Sequence, residues 1–172
     1  MWIYGRRRLG AVVPVVLAAA VMLTTAAAAG PDVARQRVTL NAKIVPGGTF
    51  VLTPMQSGAL KPDSGTVDGN WQSIPERRVE RDGQTVSIYH AVLWTVTGKR
   101  GTLTIREHSE WVDVGSDVNG DAFPDAVGVG TWKVVRGTGQ YKKLAGGGGS
   151  GHMGLGRTWV ARFEGLLTVP TG

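Results

Sequence analysis

The sequence contains no cysteine, so neither disulfide bonds nor thiolate metal sites can stabilise the fold. It also lacks a sustained helical periodicity in its apolar residues. No cluster of lysine and arginine interleaved with aromatic residues is present, which argues against nucleic acid as a partner. Stability must therefore come from hydrophobic burial, backbone hydrogen bonds or a bound ion.

Long hydrophobic runs are absent apart from one near the N terminus. The apolar stretch 11–23 follows three arginines, Arg6, Arg7 and Arg8, and leads into the small-residue tract TTAAAAG. This order is typical of a secretory signal peptide. The run is also shorter than the roughly 20 apolar residues of a transmembrane helix. We predict a signal peptide at 1–29, secretion to the extracellular side and no stable membrane anchor after cleavage; the alternative is an uncleaved anchoring helix.

The predicted mature chain, 30–172, has the size of one domain. Removing the three arginines of the signal peptide leaves 16 basic against 13 acidic residues, a net charge of +3 rather than +6. The mature chain is therefore only modestly basic.

Period-two patterns predict half-buried strands along the mature chain. The apolar face of the first is formed by Val38, Leu40, Ala42 and Ile44. Near the C terminus the apolar face contains Trp159, Ala161, Phe163, Leu167 and Val169. In the middle of the chain one face is predicted to hold Val86, Ile88, His90, Val92, Trp94 and Val96.

Glycine-rich stretches separate these strands. Residues 60–75 predict an exposed loop or irregular edge, Gly146–Gly149 predict a flexible hairpin loop, and Gly165 predicts a bulge or bend. About eight short strands joined by turns indicate an all-β fold, either a sandwich or a single antiparallel β-barrel. We favour the barrel because closure removes exposed strand edges.

The segments GTWKVVRGTGQYKKLAGGG and TGKRGTLTIR resemble the strand, turn and glycine pattern of allene-oxide-cyclase-like and dirigent-like barrels, in particular small secreted bacterial members. The resemblance covers roughly residues 49–169 and depends on turn glycines and strand residues. It implies an eight-stranded barrel with a lumen that holds hydrophobic molecules and, in the plant members, steers ring closure or radical coupling. The matching segments carry the fold rather than the chemistry, so the catalytic residues of those members cannot be placed on this chain.

The motif DVNGDAFPD predicts a calcium-binding loop. Its side-chain ligands would be Asp117, Asn119, Asp121 and Asp125, with the carbonyl of Phe123 completing the turn. Calcium takes six to eight oxygen ligands, and alternate residues of a short loop can supply them. The alternative is a solvated turn of Asp, Asn, Gly and Pro.

Two titratable residues and two tryptophans are weaker site candidates. His90 is a candidate proton-transfer group, and Glu107 continues the face of Leu103 and Ile105 if no bulge intervenes. The alternatives are a hydrogen-bonded core histidine and a solvated or paired glutamate. Trp94 and Trp111 are candidates for stacking on a ligand.

Three functions remain open from the sequence. The first is a secreted barrel that binds a small hydrophobic molecule in its lumen without catalysis. The second is a cyclase or isomerase that confines a reactive substrate there. The third is a purely structural extracellular protein. An open pocket with two converging polar groups would favour the enzyme, whereas a completely filled lumen would favour the structural role.

Overall fold

The computed structural model describes residues 33–45, 47–70, 76–114, 125–156 and 158–170, which are almost entirely β-strand. The nine strands are β1 (Val33–Ile44), β2 (Thr49–Pro54), β3 (Asp63–Gly69), β4 (Arg77–Arg81), β5 (Gln84–Gly98), β6 (Gly101–Asp113), β7 (Ala126–Gly137), β8 (Ala145–Leu155) and β9 (Thr158–Pro170), with one 3₁₀ turn at Gly139–Tyr141. Within these ranges no helix is long and apolar enough to cross a membrane.

All strands belong to one antiparallel sheet in the order β3-β2-β1-β9-β8-β7-β6-β5-β4, and β3 also pairs with β5. The sheet therefore closes into a ring. Because β3 and β4 pair with different parts of the same edge of β5, they share one position, and nine strands form a ring of eight positions. The prediction of a single antiparallel barrel of about eight strands is confirmed.

The lumen is filled by the apolar faces of β1 and β9, as their alternation predicts. Val38, Leu40 and Ala42 are buried, as are Phe163 and Leu167 on the neighbouring strand. The pairing of β9 with both neighbours passes through Gly165 without a register shift, so the bulge predicted there is wrong. A Cβ atom at this position would overlap the carbonyl oxygen of Gly147 and lie 2.7 Å from Cζ2 of Trp132, so only glycine fits.

Two glycine-rich segments predicted as loops are strands. Residues 63–69 form β3, and Gly146–Gly149 belong to β8. In β3, a Cβ atom at Gly69 would overlap the ring of Trp94, so the bare backbone leaves space for that ring. In β8, Trp132 lies opposite Gly148, and its Nε1 donates a hydrogen bond to the carbonyl of Gly149 (3.0 Å). Gly69 thus permits close approach of an aromatic ring, whereas the glycines of β8 permit close approach of backbone carbonyls from the adjacent strands.

Strand β5 contains an irregularity that changes which face its residues occupy. Its register with β6 shifts between Tyr89 and Val92. Val92, Trp94 and Val96 face the lumen, but the residues before the shift have the opposite alternation, so Tyr89 and Ser87 face inward instead of Ile88. The single continuous face predicted for residues 86–96 is therefore wrong, because one irregularity inverts the alternation.

One end of the barrel is filled by side chains from the loops, and we call it the Tyr141 end. Leu60, Tyr141 and Leu144 are buried there. The carboxylate of Asp63 accepts hydrogen bonds from the Tyr141 hydroxyl (2.9 Å), from the backbone N–H groups of Lys99 and Arg100 (both 3.1 Å) and from that of Ser64 (2.9 Å). Asp63 thus joins three loops at this end.

The Tyr141 hydroxyl should make stability sensitive to alkaline pH. Burial is the main cause that raises the pKa of this phenol above its ordinary value of about 10. Above that pH the unfolded state loses the phenolic proton while the folded state keeps it, so stability falls as pH rises. We expect Tyr141→Phe to lower stability by about 1 to 3 kcal/mol at pH 8 and to weaken the further loss above about pH 10. Urea unfolding followed by circular dichroism measures both, and equal pH dependence in the two proteins would contradict the assignment.

Candidate functional site

A small cavity lies at the opposite end of the barrel, where β1, β3, β6 and β8 finish; we call this the Trp111 end. Its volume is about 70 Å³. The walls are mainly apolar and aromatic, and the polar groups include one buried carboxylate. The lining residues are Ile44, Ser87, Tyr89, Val92, Trp94, Glu107, Ser109, Trp111, Asp113, Ala126 and Trp159.

Glu107 is the buried carboxylate of this cavity, with 1% of its surface exposed. It follows Leu103 and Ile105 on the inward face of β6. The register with β7 shifts between Thr104 and Ile105 by skipping Val135 of β7, so the alternation along β6 stays intact. Its Oε2 accepts a hydrogen bond from Trp94 Nε1 at 2.7 Å. Its Oε1 contacts Ser150 Oγ and lies 2.5 Å from His152 Nε2. A carboxylate can be buried here because these polar groups replace water around it.

His152 has an unequal environment at its two ring nitrogens. Nε2 contacts Glu107, whereas Nδ1 is buried and has no hydrogen-bond partner among the residues that the structure describes. A proton on Nδ1 would be a buried donor without an acceptor, which costs about 1 to 3 kcal/mol. The arrangement therefore favours the neutral imidazole with its proton on Nε2, donated to Glu107, and an unused lone pair on Nδ1.

Aromatic rings cover the Glu107–His152 pair, which we call the dyad. The Trp111 ring lies 4.8 Å from the His152 ring and 5.0 Å from the Trp159 ring, measured between centroids. The backbone beneath Trp111 is Gly128, where a Cβ atom would lie 2.6 Å from the indole. The Trp111 Nε1 donates to Ser109 Oγ at 3.1 Å. Gly128 thus leaves space for the Trp111 indole, and Ser109 accepts its hydrogen bond, beside the rings of His152 and Trp159.

The remaining sequence candidates occupy different places. His90 is exposed at the irregularity in β5, where its ring lies 4.5 Å from that of His108 and away from the lumen. Trp94 is buried and is a hydrogen-bond donor to Glu107, and Trp111 is half-buried in the cavity wall. The structure therefore brings Glu107, Trp94 and Trp111 together and separates His90 from them.

Two members of the site, Ser150 and His152, were not identified from the sequence. They lie on β8, whose glycines hide the alternation that marks a strand. The available signal was that they are two positions apart, which places both side chains on one face of an extended chain.

The predicted calcium ligands 117, 119, 121 and 123 lie outside the described residues. Asp125 is described and is 2% exposed. Its Oδ1 accepts a hydrogen bond from the backbone N–H of Gly156 at 3.1 Å, and its carbonyl accepts one from Val114 at 2.8 Å. Asp125 therefore has a structural contact with the β8–β9 turn. No group of three metal-ligating side chains occurs within the part of the chain that the structure describes.

A larger groove of about 940 Å³ runs over the outer face of the sheet. Its apolar lining includes the exposed side chains of Val127, Val129 and Met153. Two of its charged residues, Arg81 and Glu110, form an ion pair with each other. His152 is also among the residues that line this groove, whereas its partner Glu107 lines only the cavity at the Trp111 end.

Comparisons with known proteins give no relative: no protein-family model matches the chain, and no curated protein or solved structure matches it significantly.

The hydrogen bonds around Glu107 should make its charge structurally important. In Glu107→Gln one oxygen that accepts hydrogen bonds becomes an N–H₂ donor, so at least one neighbouring donor loses its acceptor. We expect the free energy of unfolding to fall by about 1 to 3 kcal/mol. The matched control is Glu164→Gln, an exposed carboxylate on β9 that pairs with Arg162, where about 1 kcal/mol or less is expected.

Urea denaturation followed by tryptophan fluorescence measures both variants. Equal destabilisation of the two proteins would contradict the buried network around Glu107.

Proposed function

We propose that the chain is an exported barrel that binds a small, largely apolar molecule at the Trp111 end without changing it. The observation that carries the proposal is a buried carboxylate, Glu107, at a cavity with walls of Trp111, Trp159 and Tyr89. Aromatic walls bind apolar ligand surface, and a few placed polar groups orient the ligand. The antiparallel closed sheet supports, at the level of fold, the proposed resemblance to allene-oxide-cyclase-like and dirigent-like barrels.

The size of the cavity restricts the ligand. Pockets that enclose drug-sized molecules measure about 300 to 1,000 Å³, whereas this cavity measures about 70 Å³. A ligand can therefore place only a small group beside Glu107, while its remaining surface contacts the aromatic residues at the mouth. Because a carboxylate accepts hydrogen bonds, the group that enters should be a hydroxyl or an amine. The proposed ligand class is a small ring compound with one such donor.

A second candidate function is proton transfer in an isomerase or cyclase. The specific observation is the contact between Glu107 Oε1 and His152 Nε2 at 2.5 Å, which joins two titratable groups beside a cavity. Such a pair can remove a proton from one atom of a substrate and return it to another. The free lone pair on Nδ1 gives the imidazole a second site for a proton. We place this function after simple binding because only Glu107 of the pair lines the cavity.

Phenol and toluene test the binding proposal because they have similar shapes but only phenol has a hydroxyl donor. We expect phenol to bind at least about tenfold more tightly, because a hydrogen bond to a charged group contributes about 1.5 to 3 kcal/mol. Fluorescence titration of the tryptophans gives both dissociation constants. Glu107→Gln should reduce the preference for phenol, and the control Glu164→Gln should retain it.

Equal binding of phenol and toluene would contradict a role for Glu107 in ligand recognition. Binding of neither compound, together with no molecule co-purifying in native mass spectrometry, would favour the purely structural alternative.

We also propose that the loop containing Asp117, Asn119 and Asp121 binds calcium, with oxygens of Phe123 and Asp125 nearby in the sequence. Extracellular calcium sites commonly have dissociation constants of about 0.1 to 1 mM. Millimolar calcium should therefore raise the thermal midpoint, by mass action on the folded state. Asp117→Asn with Asp121→Asn should abolish the shift.

Asp125 is left unchanged in this test, because its contact with Gly156 would confuse loss of the ion with loss of the turn. An unchanged midpoint in millimolar calcium, with no binding heat in calorimetry, would contradict the proposal.

A further inference from the structure

The loops at the Tyr141 end carry basic residues without exposed acidic partners. We define the basic end by its five loop residues: Lys61, Lys99, Arg100, Lys142 and Lys143. All are exposed, and none forms an ion pair within the described part of the chain. The loop segments 55–62, 98–101 and 138–144 contain no aspartate or glutamate. Five of the 16 basic residues of the mature chain are thus concentrated on three adjoining loops.

Hydrogen bonds hold these loops together as one surface. The side chain of Gln140 accepts from the backbone N–H of Lys61 (3.1 Å) and donates to its carbonyl (3.2 Å). The backbone N–H of Gln140 donates to the carbonyl of Arg100 at 2.8 Å. The Arg100 Nε donates to the carbonyl of Pro62 at 3.1 Å. The cations therefore do not depend on a ligand to bring their loops together.

Asp63, the acidic residue found at this end among the residues that the structure describes, does not neutralise the surface. Asp63 is 7% exposed, and its oxygens accept hydrogen bonds from three backbone N–H groups and the Tyr141 hydroxyl. At the opposite end, the β4–β5 hairpin has acidic Glu80 and Asp82 beside its arginines. The charge of the barrel is therefore distributed unequally along its axis.

Basic and apolar side chains occur together at this end. Arg35 and Arg37 are exposed on β1, and the backbone N–H of Met55 donates to the carbonyl of Arg37 at 2.9 Å. Met55 itself is 55% exposed, and Leu166, paired with Arg37 in the sheet, is 43% exposed. A soluble polyanion would attract the cations but leave these apolar groups in water. A lipid surface has anionic headgroups that attract the cations and acyl chains that contact the apolar side chains.

The chain enters its first described strand at the Tyr141 end of the barrel. Val33, the first residue of β1, pairs with Pro170 at the Tyr141 end. The apolar stretch 11–23 is therefore joined to the domain on the side that carries the cations.

We propose that the basic end binds the surface of membranes containing anionic lipids, peripherally and independently of the ligand cavity. Each lysine or arginine near such a surface contributes an attraction that corresponds to about a fivefold change in partitioning. This attraction should decrease as added salt shortens the screening length.

The test is cosedimentation of the processed chain, with its N terminus verified by sequencing, with vesicles of phosphatidylcholine alone or mixed with phosphatidylglycerol. We expect binding only to the mixed vesicles and a marked loss at about 0.5 M salt. Lys99→Gln with Lys142→Gln should weaken partitioning by about 25-fold. Neither side chain takes part in the hydrogen bonds that join the loops, and urea unfolding checks that stability is unchanged. The matched control, Arg77→Gln with Arg78→Gln on β4, should change partitioning by less than about twofold.

The variant Met55→Ser distinguishes binding to a lipid surface from binding to a soluble polyanion. It should weaken binding to the mixed vesicles while leaving retention on a polyphosphate column unchanged. Three outcomes would each overturn the proposal. They are an equal loss of partitioning in the lysine double variant and the arginine control, equal binding to both kinds of vesicle, and binding to polyphosphate without binding to vesicles.

Discussion

Closure of the sheet by β3 is the constraint on which the rest of the structure depends. This strand is short and largely polar, yet it pairs with β2 on one side and β5 on the other. Asp63 at its beginning joins it to the β5–β6 turn and to Tyr141. Without this closure β2 and β5 would expose unpaired edges, and the lumen would lose the wall against which its side chains pack.

A ring of eight positions also limits the space inside it, because a barrel of this size has a lumen that side chains nearly fill. Large rings are accommodated by glycines on other strands, as Trp132 is by Gly165 and Trp94 is by Gly69. Within the described part of the chain, this packing leaves a small cavity beside Glu107. The same packing that stabilises the barrel therefore restricts what can be bound inside it.

Alternation predicts the strands that have one apolar and one polar face, because burial of a single face imposes a period of two. It fails for β3 and β8, where glycines give no period. Gly69 of β3 leaves space for the ring of Trp94, and the glycines of β8 lie against backbone carbonyls of the adjacent strands. It also fails across residues 86–96, because an irregularity inverts the faces without a distinctive composition. Glu107 follows from the alternation of its own strand, whereas His152 becomes a partner only when β6, β7 and β8 lie side by side.

The pairing of β1 with β9 has a consequence for the kinetics of folding. The first described strand joins the last over its whole length, from Val33 opposite Pro170 to Ile44 opposite Trp159. Contacts between residues so far apart in sequence form slowly, because the intervening chain must lose its freedom first. A chain that crosses a membrane N terminus first cannot form this pairing until its final strand has emerged. If the chain is exported as we propose, the ring can therefore be completed only after translocation.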